Sequence, residues 1–300
     1  MVSIINYNCI YLKELYKLYC MAHNITINYD YCQIDDSFLS NINAINIKLL
    51  KINSKIRGYI LSSIPYSSYN NNRININEVY IEKKYNSWVN YMNLIEATNK
   101  KSLFKHYIYA QLYIQSKSKN TEIITKLDLH LDKKMFEMQI HLYENKKINI
   151  SNNINFVMFR NGLDEQKRIV IQNSIFKETK EHRECTLDDI LFDEKQDYYL
   201  EDGSIFLSIN NNIIGYSQII LEKNPDTKPY IVNFGIDINY RGMGLSKQLL
   251  NYTLNKIKQL GFNHAYITVD SENHKAHNLY KNMGFEKFSA FSCYLYKYKL

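Results

Sequence analysis

The stretch from Asn233 to Leu250, Asn-Phe-Gly-Ile-Asp-Ile-Asn-Tyr-Arg-Gly-Met-Gly-Leu-Ser-Lys-Gln-Leu-Leu, restricts the fold more than any other part of this 300-residue chain. It enters through an apolar, β-branched run from Ile231 to Ile238, which reads as a strand, and turns through Asn239 to Gly244. Leu245, Leu249, Leu250, Leu254, Ile257 and Leu260 then recur at mostly helical spacing and make one apolar stripe. Gly261 stands where a helix C-terminal glycine belongs, and Lys256 and Lys258 suit the negative end of the helix dipole. A strand that feeds a glycine turn and a helix start is an anion site. The first helical N–H groups have no partner inside the helix, the dipole adds positive potential, and glycine lets an anion lie against the backbone. Arg241 adds a fixed charge. The pattern lacks the Gly-Lys-Ser/Thr of a Walker loop and the third glycine of the dinucleotide fingerprint.

Arg241-Gly242-Met243-Gly244-Leu245-Ser246 resembles the acetyl-CoA pyrophosphate loop of the GNAT superfamily of N-acyltransferases. A second apolar run, Ala265 to Val269, reads as a buried strand. After it, Asn273-x-x-Ala276-x-x-Leu279-Tyr280-x-x-x-Gly284-Phe285 resembles the family's second hallmark, an Asn followed by a helix that carries a Tyr and ends in Gly-Phe. Together the two motifs cover roughly residues 230 to 285.

The resemblance implies an α/β fold with a mixed sheet and acetyl-CoA as co-substrate. It implies that the backbone of Phe234, Gly235 and Ile236 pairs with the pantetheine arm and polarises the thioester carbonyl. Arg241, Gly242, Met243, Gly244, Leu245, Ser246 and Lys247 would hold the pyrophosphate, Asn273 would bond the pantetheine arm, and Tyr280 would protonate the leaving thiolate. Ser246 departs from the usual Gly or Ala, and Ile238 stands where many members have Pro. The general base is not evident. Where some members place a Glu this chain has Thr268; Asp237 is the nearest carboxylate on the central strand, and a water relay to a more distant carboxylate is an equal alternative.

The chain also repeats itself. Residues 47–63 and 204–220 align without a gap, so that Ile52, Asn53, Ile56, Gly58 and Tyr59 fall on Ile209, Asn210, Ile213, Gly215 and Tyr216, an offset of 157. Each copy reads as strand, polar turn, strand. The same offset carries Arg241-Gly242-Met243-Gly244 onto Lys84-Tyr85-Asn86-Ser87, with no glycine, and the following helix onto the stretch near Trp88 to Met92. Of nine glycines only Gly58 precedes residue 150. The expectation is two tandem GNAT-like domains, each a mostly antiparallel sheet flanked by helices. Residues 1–150 would be a degenerate copy without a cofactor loop, and 151–300 the acetyl-CoA-binding catalytic copy.

In the second copy, Asn155 to Arg160 reads as a strand, and Asp164-Glu165 open a helix carrying Ile169, Val170 and Phe176. That helix and Thr186 to Phe192 would build the acceptor side of the cleft. Arg183, Glu184, Asp188 and Asp189 read as a solvated charged loop. Pro225 and Pro229 bracket the turn before the central strand, and Phe285 to Leu300 reads as one or two closing strands.

Composition sets the remaining limits. Five cysteines, Cys9, Cys20, Cys32, Cys185 and Cys293, with no CxxC spacing fit a reduced cytoplasmic setting. His274, His277 and Asp270 lack a fourth partner and read as a solvated helix face, so no metal is expected. No apolar run reaches 18 residues and no signal peptide is evident, so no membrane partner is expected. The net charge of +7 comes without a basic block, which disfavours nucleic acid; a co-substrate with several phosphates would explain part of the excess, and ordinary surface composition would explain all of it equally well.

The leading expectation is an N-acetyltransferase moving an acetyl group directly from acetyl-CoA to a primary amine of a small molecule or peptide; a homodimer is compatible with it. The alternative is a non-catalytic acyl-CoA-binding regulatory or scaffold protein on the same fold. A nucleic-acid binder ranks last.

Overall fold

The computed structural model describes residues 2–25, 38, 46–63, 72–99, 107–115, 125–143, 153–179, 184–223 and 226–299. Cys32, Arg183, Pro225 and the expected domain cut at 150/151 lie outside them. The chain divides into two units, Met1–Lys133 with Phe291–Leu300, and Lys134–Ala290.

In the first unit, β1 (Val2–Asn6), α1 (Leu12–His23), β2 (Asn46–Ile52), β3 (Lys55–Ser63), β4 (Arg73–Ile81), α2 (Trp88–Glu96) and β5 (Tyr109–Gln115) follow in order. The sheet runs β1-β2-β3-β4-β5, antiparallel except for the parallel pair β4–β5. In the second unit, β6 (His130–His141, counted from Lys134 on) precedes β7 (Ile154–Met158), α3 (Glu165–Phe176), α4 (Leu187–Asp193), β8 (Tyr199–Ile209), β9 (Asn212–Glu222) and β10 (Lys228–Ile236). There follow α5 (Leu245–Gln259), β11 (His264–Asp270), α6 (His274–Asn282) and β12 (Glu286–Lys297). Its sheet runs β7-β8-β9-β10-β11-β6, again antiparallel except for one parallel pair, β10–β11.

Each unit is completed by a strand from the other half of the sequence. Phe291–Lys297 of β12 pairs with β5, and Met135–His141 of β6 pairs with β11. Alternation explains the second exchange: Phe136, Met138 and Ile140 pack with the second unit's core, while Glu137, Gln139 and His141 take the other face.

The repeat is a repeat of structure. The two hairpins turn through Asn53-Ser54 and Asn210-Asn211, with φ of 48° and 67° in both copies. Two consecutive positive φ values mark a type I′ turn, whose twist suits a two-residue hairpin. Gly58 and Gly215 are both crowded by the next strand: a Cβ on Gly58 would lie 2.7 Å from the Tyr80 carbonyl oxygen, and one on Gly215 would lie 2.6 Å from Ile236 Cδ1. The neighbouring Tyr59 and Tyr216 are both fully buried.

The second unit's main core joins Ile205, Leu207, Ile219, Ile231 and Ile236 of the sheet to Leu249, Leu250 and Ile257 of α5. Across the sheet a smaller cluster joins Ile171 and Ile175 of α3 to Phe159, Phe206 and Tyr216. The sequence pattern for α3 picks out Ile169, Val170 and Phe176, whereas Glu165, Arg168, Ile171 and Ile175 are the buried residues and Val170 is 63% exposed. The inward guanidinium sets that face: Arg168 Nη2 donates to Asp193 Oδ2 at 2.7 Å and to Gln218 Oε1 at 3.1 Å. A buried charge is tolerated when it is paired and hydrogen-bonded in this way.

Candidate active site

Two irregularities in β10 create the site. Against β9 the register skips between Val232 and Gly235, and Asn233 sits at φ 49°, its Nδ2 donating to Gln218 Oε1 at 2.8 Å. A bulge of this kind resets the alternation, so Ile231 and Ile236 both reach the core although one is odd and one even. On its other side β10 pairs with β11 only at Tyr230–Tyr266 and Ile231–Ile267. Beyond Ile231 the two parallel strands part, and among the described residues no strand pairs with Phe234, Gly235 and Ile236 on that side. Gly235 is there because nothing larger fits: an added Cβ would lie 2.2 Å from Ile175 Cγ2.

The loop that follows is built by its own side chains. Asp237 caps a short 3-10 turn, Ile238–Tyr240, with Oδ1 accepting from Asn239 N at 2.9 Å, while Oδ2 accepts from Ser174 Oγ. Burial works to raise the Asp237 carboxyl, but these hydrogen bonds and the Arg241 charge outweigh it and hold it below the usual carboxylate range. Arg241 spans to α3: Nη2 donates to the Ile175 carbonyl at 2.7 Å, Nε to the Ile236 carbonyl at 3.1 Å, and Nη1 to Glu178 at 3.4 Å. The arginine therefore ties the end of α3 to the end of β10, and its charge stands beside the loop.

Gly242 and Gly244 take φ of 81° and 76°, the left-handed region that L side chains avoid. A Cβ at either position would meet nothing within 4 Å, so the space over the loop is open. Gly244 is the N-cap of α5 and offers no side chain to the helix. Lys247 N donates to the Gly244 carbonyl at 3.2 Å, while the Leu245 and Ser246 N–H groups before it receive no cap from Gly244, with Met243, Gly244 and Lys247 exposed around them.

Tyr280 lies in α6, 6% exposed, its ring 6.2 Å from Phe234 and 5.8 Å from Phe285. Its hydroxyl has no hydrogen-bond partner among the described residues, and burial pushes its pKa up, so it stays protonated through the neutral range. Asn273 caps α6, Oδ1 accepting from Ala276 N at 3.1 Å, which leaves its amide Nδ2 to donate elsewhere. The backbone of Phe234 to Ile236 and the open glycine loop lie at the carboxyl end of β10, and the Tyr280 ring packs beside the Phe234 ring.

Residues 171–285 match the model of the Acetyltransferase (GNAT) family. This segment is a GNAT-family acetyltransferase domain.

Similarity beyond it agrees. A mycothiol acetyltransferase of Thermomonospora curvata is 22% identical over 143 residues, covering 48% of this chain and 48% of that protein. The chain thus spans about half the length of the curated relatives it matches. A GCN5-related N-acetyltransferase structure from Sphaerobacter thermophilus superposes with a TM-score of 0.70 at 13% identity, covering 99% of this chain and 95% of that one. A tandem GNAT protein from the clavulanic acid biosynthesis pathway superposes with 0.66 at 7% identity, covering 99% and 98%. Both GNAT structures follow the whole chain, in keeping with two tandem GNAT-like copies.

The sequence motifs missed Arg168, which precedes the matched segment and fixes α3 and α4 against β9, because a charged residue on an amphipathic helix reads as solvated. A cavity of about 550 Å³ lies away from the glycine loop, lined by residues that include His141, Asn255, Lys258, His264 and Lys287. Among the described residues no group of three or more His, Cys, Asp or Glu is placed to hold a metal, and no helix is long and apolar enough to cross a membrane.

Proposed function

We propose that the second unit transfers an acetyl group from acetyl-CoA to a primary amine. The observation that carries the reading is the uncapped start of α5 under open space, next to the stretch where β10 leaves β11. In this reading the N–H groups after Gly242 and Gly244 bind the pyrophosphate, with Lys247 and the Arg241 charge beside them. The β10 backbone at Phe234 to Ile236 aligns the pantetheine arm and donates to the thioester carbonyl, favouring the oxygen as it gains charge during attack. Asn273 donates from Nδ2 to the same arm. Tyr280, held protonated by burial, gives its proton to the departing thiolate.

Asp237 serves the loop in this account: its hydrogen bonds and the Arg241 charge hold its carboxyl acidic, which suits a cap better than a base. The first unit keeps the fold without the loop and binds no acetyl-CoA. The competing reading, an acyl-CoA-binding scaffold without turnover, separates from this one by experiment. Free-thiol release from acetyl-CoA, followed with a panel of primary amines, should exceed the amine-free rate for at least one amine class. Tight acetyl-CoA binding with no release above that rate would favour the scaffold.

A further inference from the structure

On the face of the sheet turned away from Tyr280, one carboxylate is set up in a way that the loop and the acid do not account for. Ala265, Ile267 and Val269 of β11 face the core that holds Tyr280, so Tyr266 and Thr268 face the other way. Thr268, one step beyond the last residue that β11 pairs with β10, is paired across to Glu137 of β6. Glu137 thus lies level with the mouth of the opening. Both of its oxygens are held: Ser289 Oγ donates to Oε2 at 2.6 Å, and Tyr230 Oη donates to Oε1. Each oxygen keeps a further lone pair for an outside donor. Burial, and then the hydrogen bond to Glu137, push the Tyr230 hydroxyl up, so it remains a donor at neutral pH.

The surroundings are aromatic. The rings of Tyr230 and Tyr266 stack at 5.3 Å, and Phe288, 52% exposed, meets Tyr266 edge-on at 5.7 Å. The chain's own ammonium already uses this surface: Lys228 Nζ stands 5.5 Å from the ring centres of both Tyr266 and Phe288. Ring faces beside a fixed carboxylate suit an ammonium ion carried on an apolar group.

We propose that Glu137, oriented by Tyr230 and Ser289, forms with Tyr266 and Phe288 the acceptor subsite, and that the acceptor is a cationic amine on an aromatic or apolar group. The proposal rests on the acetyl-transfer reading of the neighbouring opening. Glu137 binds the ammonium and takes one proton from it, later passing it to water. The freed nitrogen lone pair forms the C–N bond to the thioester carbonyl carbon. On collapse the C–S bond breaks, Tyr280 gives its proton to the departing thiolate, and the second proton lost by the nitrogen returns through water to reprotonate Tyr280. The net products are the amide, the free thiol and one proton released to solvent. Tyr230 and Ser289 are positioning residues that act through Glu137.

The test is binding, so it does not depend on turnover. Phenethylamine and its neutral analogue phenethyl alcohol are titrated into the whole chain with coenzyme A present, followed by ligand-observed NMR. The amine should bind the parent more tightly than the alcohol. Glu137→Gln should weaken the amine by roughly 10- to 100-fold, the loss of a charge-assisted hydrogen bond, and leave the alcohol unchanged. Equal affinity for the two probes, no amine binding to the parent, or an unaltered Glu137→Gln variant would overturn the proposal. Should Glu137→Gln not fold, Tyr230→Phe and Ser289→Ala each remove one orienting donor. A several-fold loss confined to the amine supports the subsite, and no loss in either variant overturns it. A chain that binds acetyl-CoA but fails this test keeps the acetyl-transfer reading and loses only the subsite. A chain that binds the amine but not acetyl-CoA shows the reverse.

Discussion

Ser87 and Gly244 stand at the same step of the two copies, at the offset of 157 that relates Gly58 to Gly215, and they finish corresponding helix starts in opposite ways. Ser87 has an ordinary extended backbone, φ −135° and ψ 150°, and its Oγ accepts from Asn90 N at 3.4 Å, so α2 is capped from within. Gly244 has φ 76° and no side chain, so α5 is left to be capped from outside. One copy closes from within the helix start that the other leaves open.

Removing the internal cap should therefore cost stability and nothing else. Ser87→Ala should lower stability by about 0.5–1 kcal/mol, the lower part of the range for an N-cap loss, because the capping bond is long. Acetyl-CoA affinity, measured by calorimetry, should be unaltered at one site per chain. A second binding site, or an affinity loss in this variant, would mean that the first unit's helix start takes part in binding.

Gly235 predicts a different failure. Alanine there would set a Cβ 2.2 Å from Ile175 Cγ2, and the branched side chain sits in a packed cluster with Phe206 and Tyr216. Gly235→Ala should destabilise by about 1–3 kcal/mol, the usual cost of overpacking. Adding Ile175→Ala should recover part of that loss in thermal unfolding. If the double variant is less stable than the sum of the two single changes, the contact is not the cause.

The pH dependence of stability should carry the mark of Asp164, whose side chain is 2% exposed and bonded to Arg160 Nε at 2.8 Å and Lys167 Nζ at 2.7 Å. The Arg160 hydrogen bond, helped by Lys167 and the Arg160 N–H against the opposing effect of burial, holds this carboxyl well below the usual range. A carboxyl depressed in the fold contributes stability above its unfolded pKa, about 4, and loses that contribution as pH falls toward the folded value. Asp164→Asn should thus cost roughly 1–3 kcal/mol at pH 7. The lower end applies, since Arg160 and Lys167 are 61% and 53% exposed and solvent screens them. Denaturant titrations at pH 7 and pH 3 should show a smaller difference from the parent at pH 3; equal differences would contradict the linkage.

Tyr280→Phe removes the proposed proton donor and keeps the ring against Phe234 and Phe285. Acetyl-CoA affinity should stay within a few-fold while turnover falls about 10²-fold, the low end for general acid catalysis. Parent-like turnover would make Tyr280 a packing residue, and the thiolate would then take its proton from water.

Much of this was legible in the sequence because it rests on local rules. The Gly242 and Gly244 turn, the α5 stripe ending at Gly261, and the hairpins that share Asn53 and Asn210 are each fixed within a few residues. What escaped depends on distant partners. That the Ile175 and Ile236 carbonyls hold Arg241, and that Ser174 and Asn239 bond Asp237, follows only from the fold. The bulge at Asn233 moves Gly235 and Phe234 onto faces that simple alternation does not give. Glu137 lies on a strand that precedes the matched domain, and only its pairing with β11 brings it to the mouth of the opening.

The central claim is that the uncapped start of α5 takes the pyrophosphate of acetyl-CoA. The most direct measurement is calorimetric titration of acetyl-CoA into the whole chain and into Gly244→Glu, with circular dichroism confirming that the variant is folded. The parent should bind one acetyl-CoA, and the variant, with a side chain and a negative charge set over the helix start, should show no measurable binding. A folded variant that binds with the parent affinity would contradict the account.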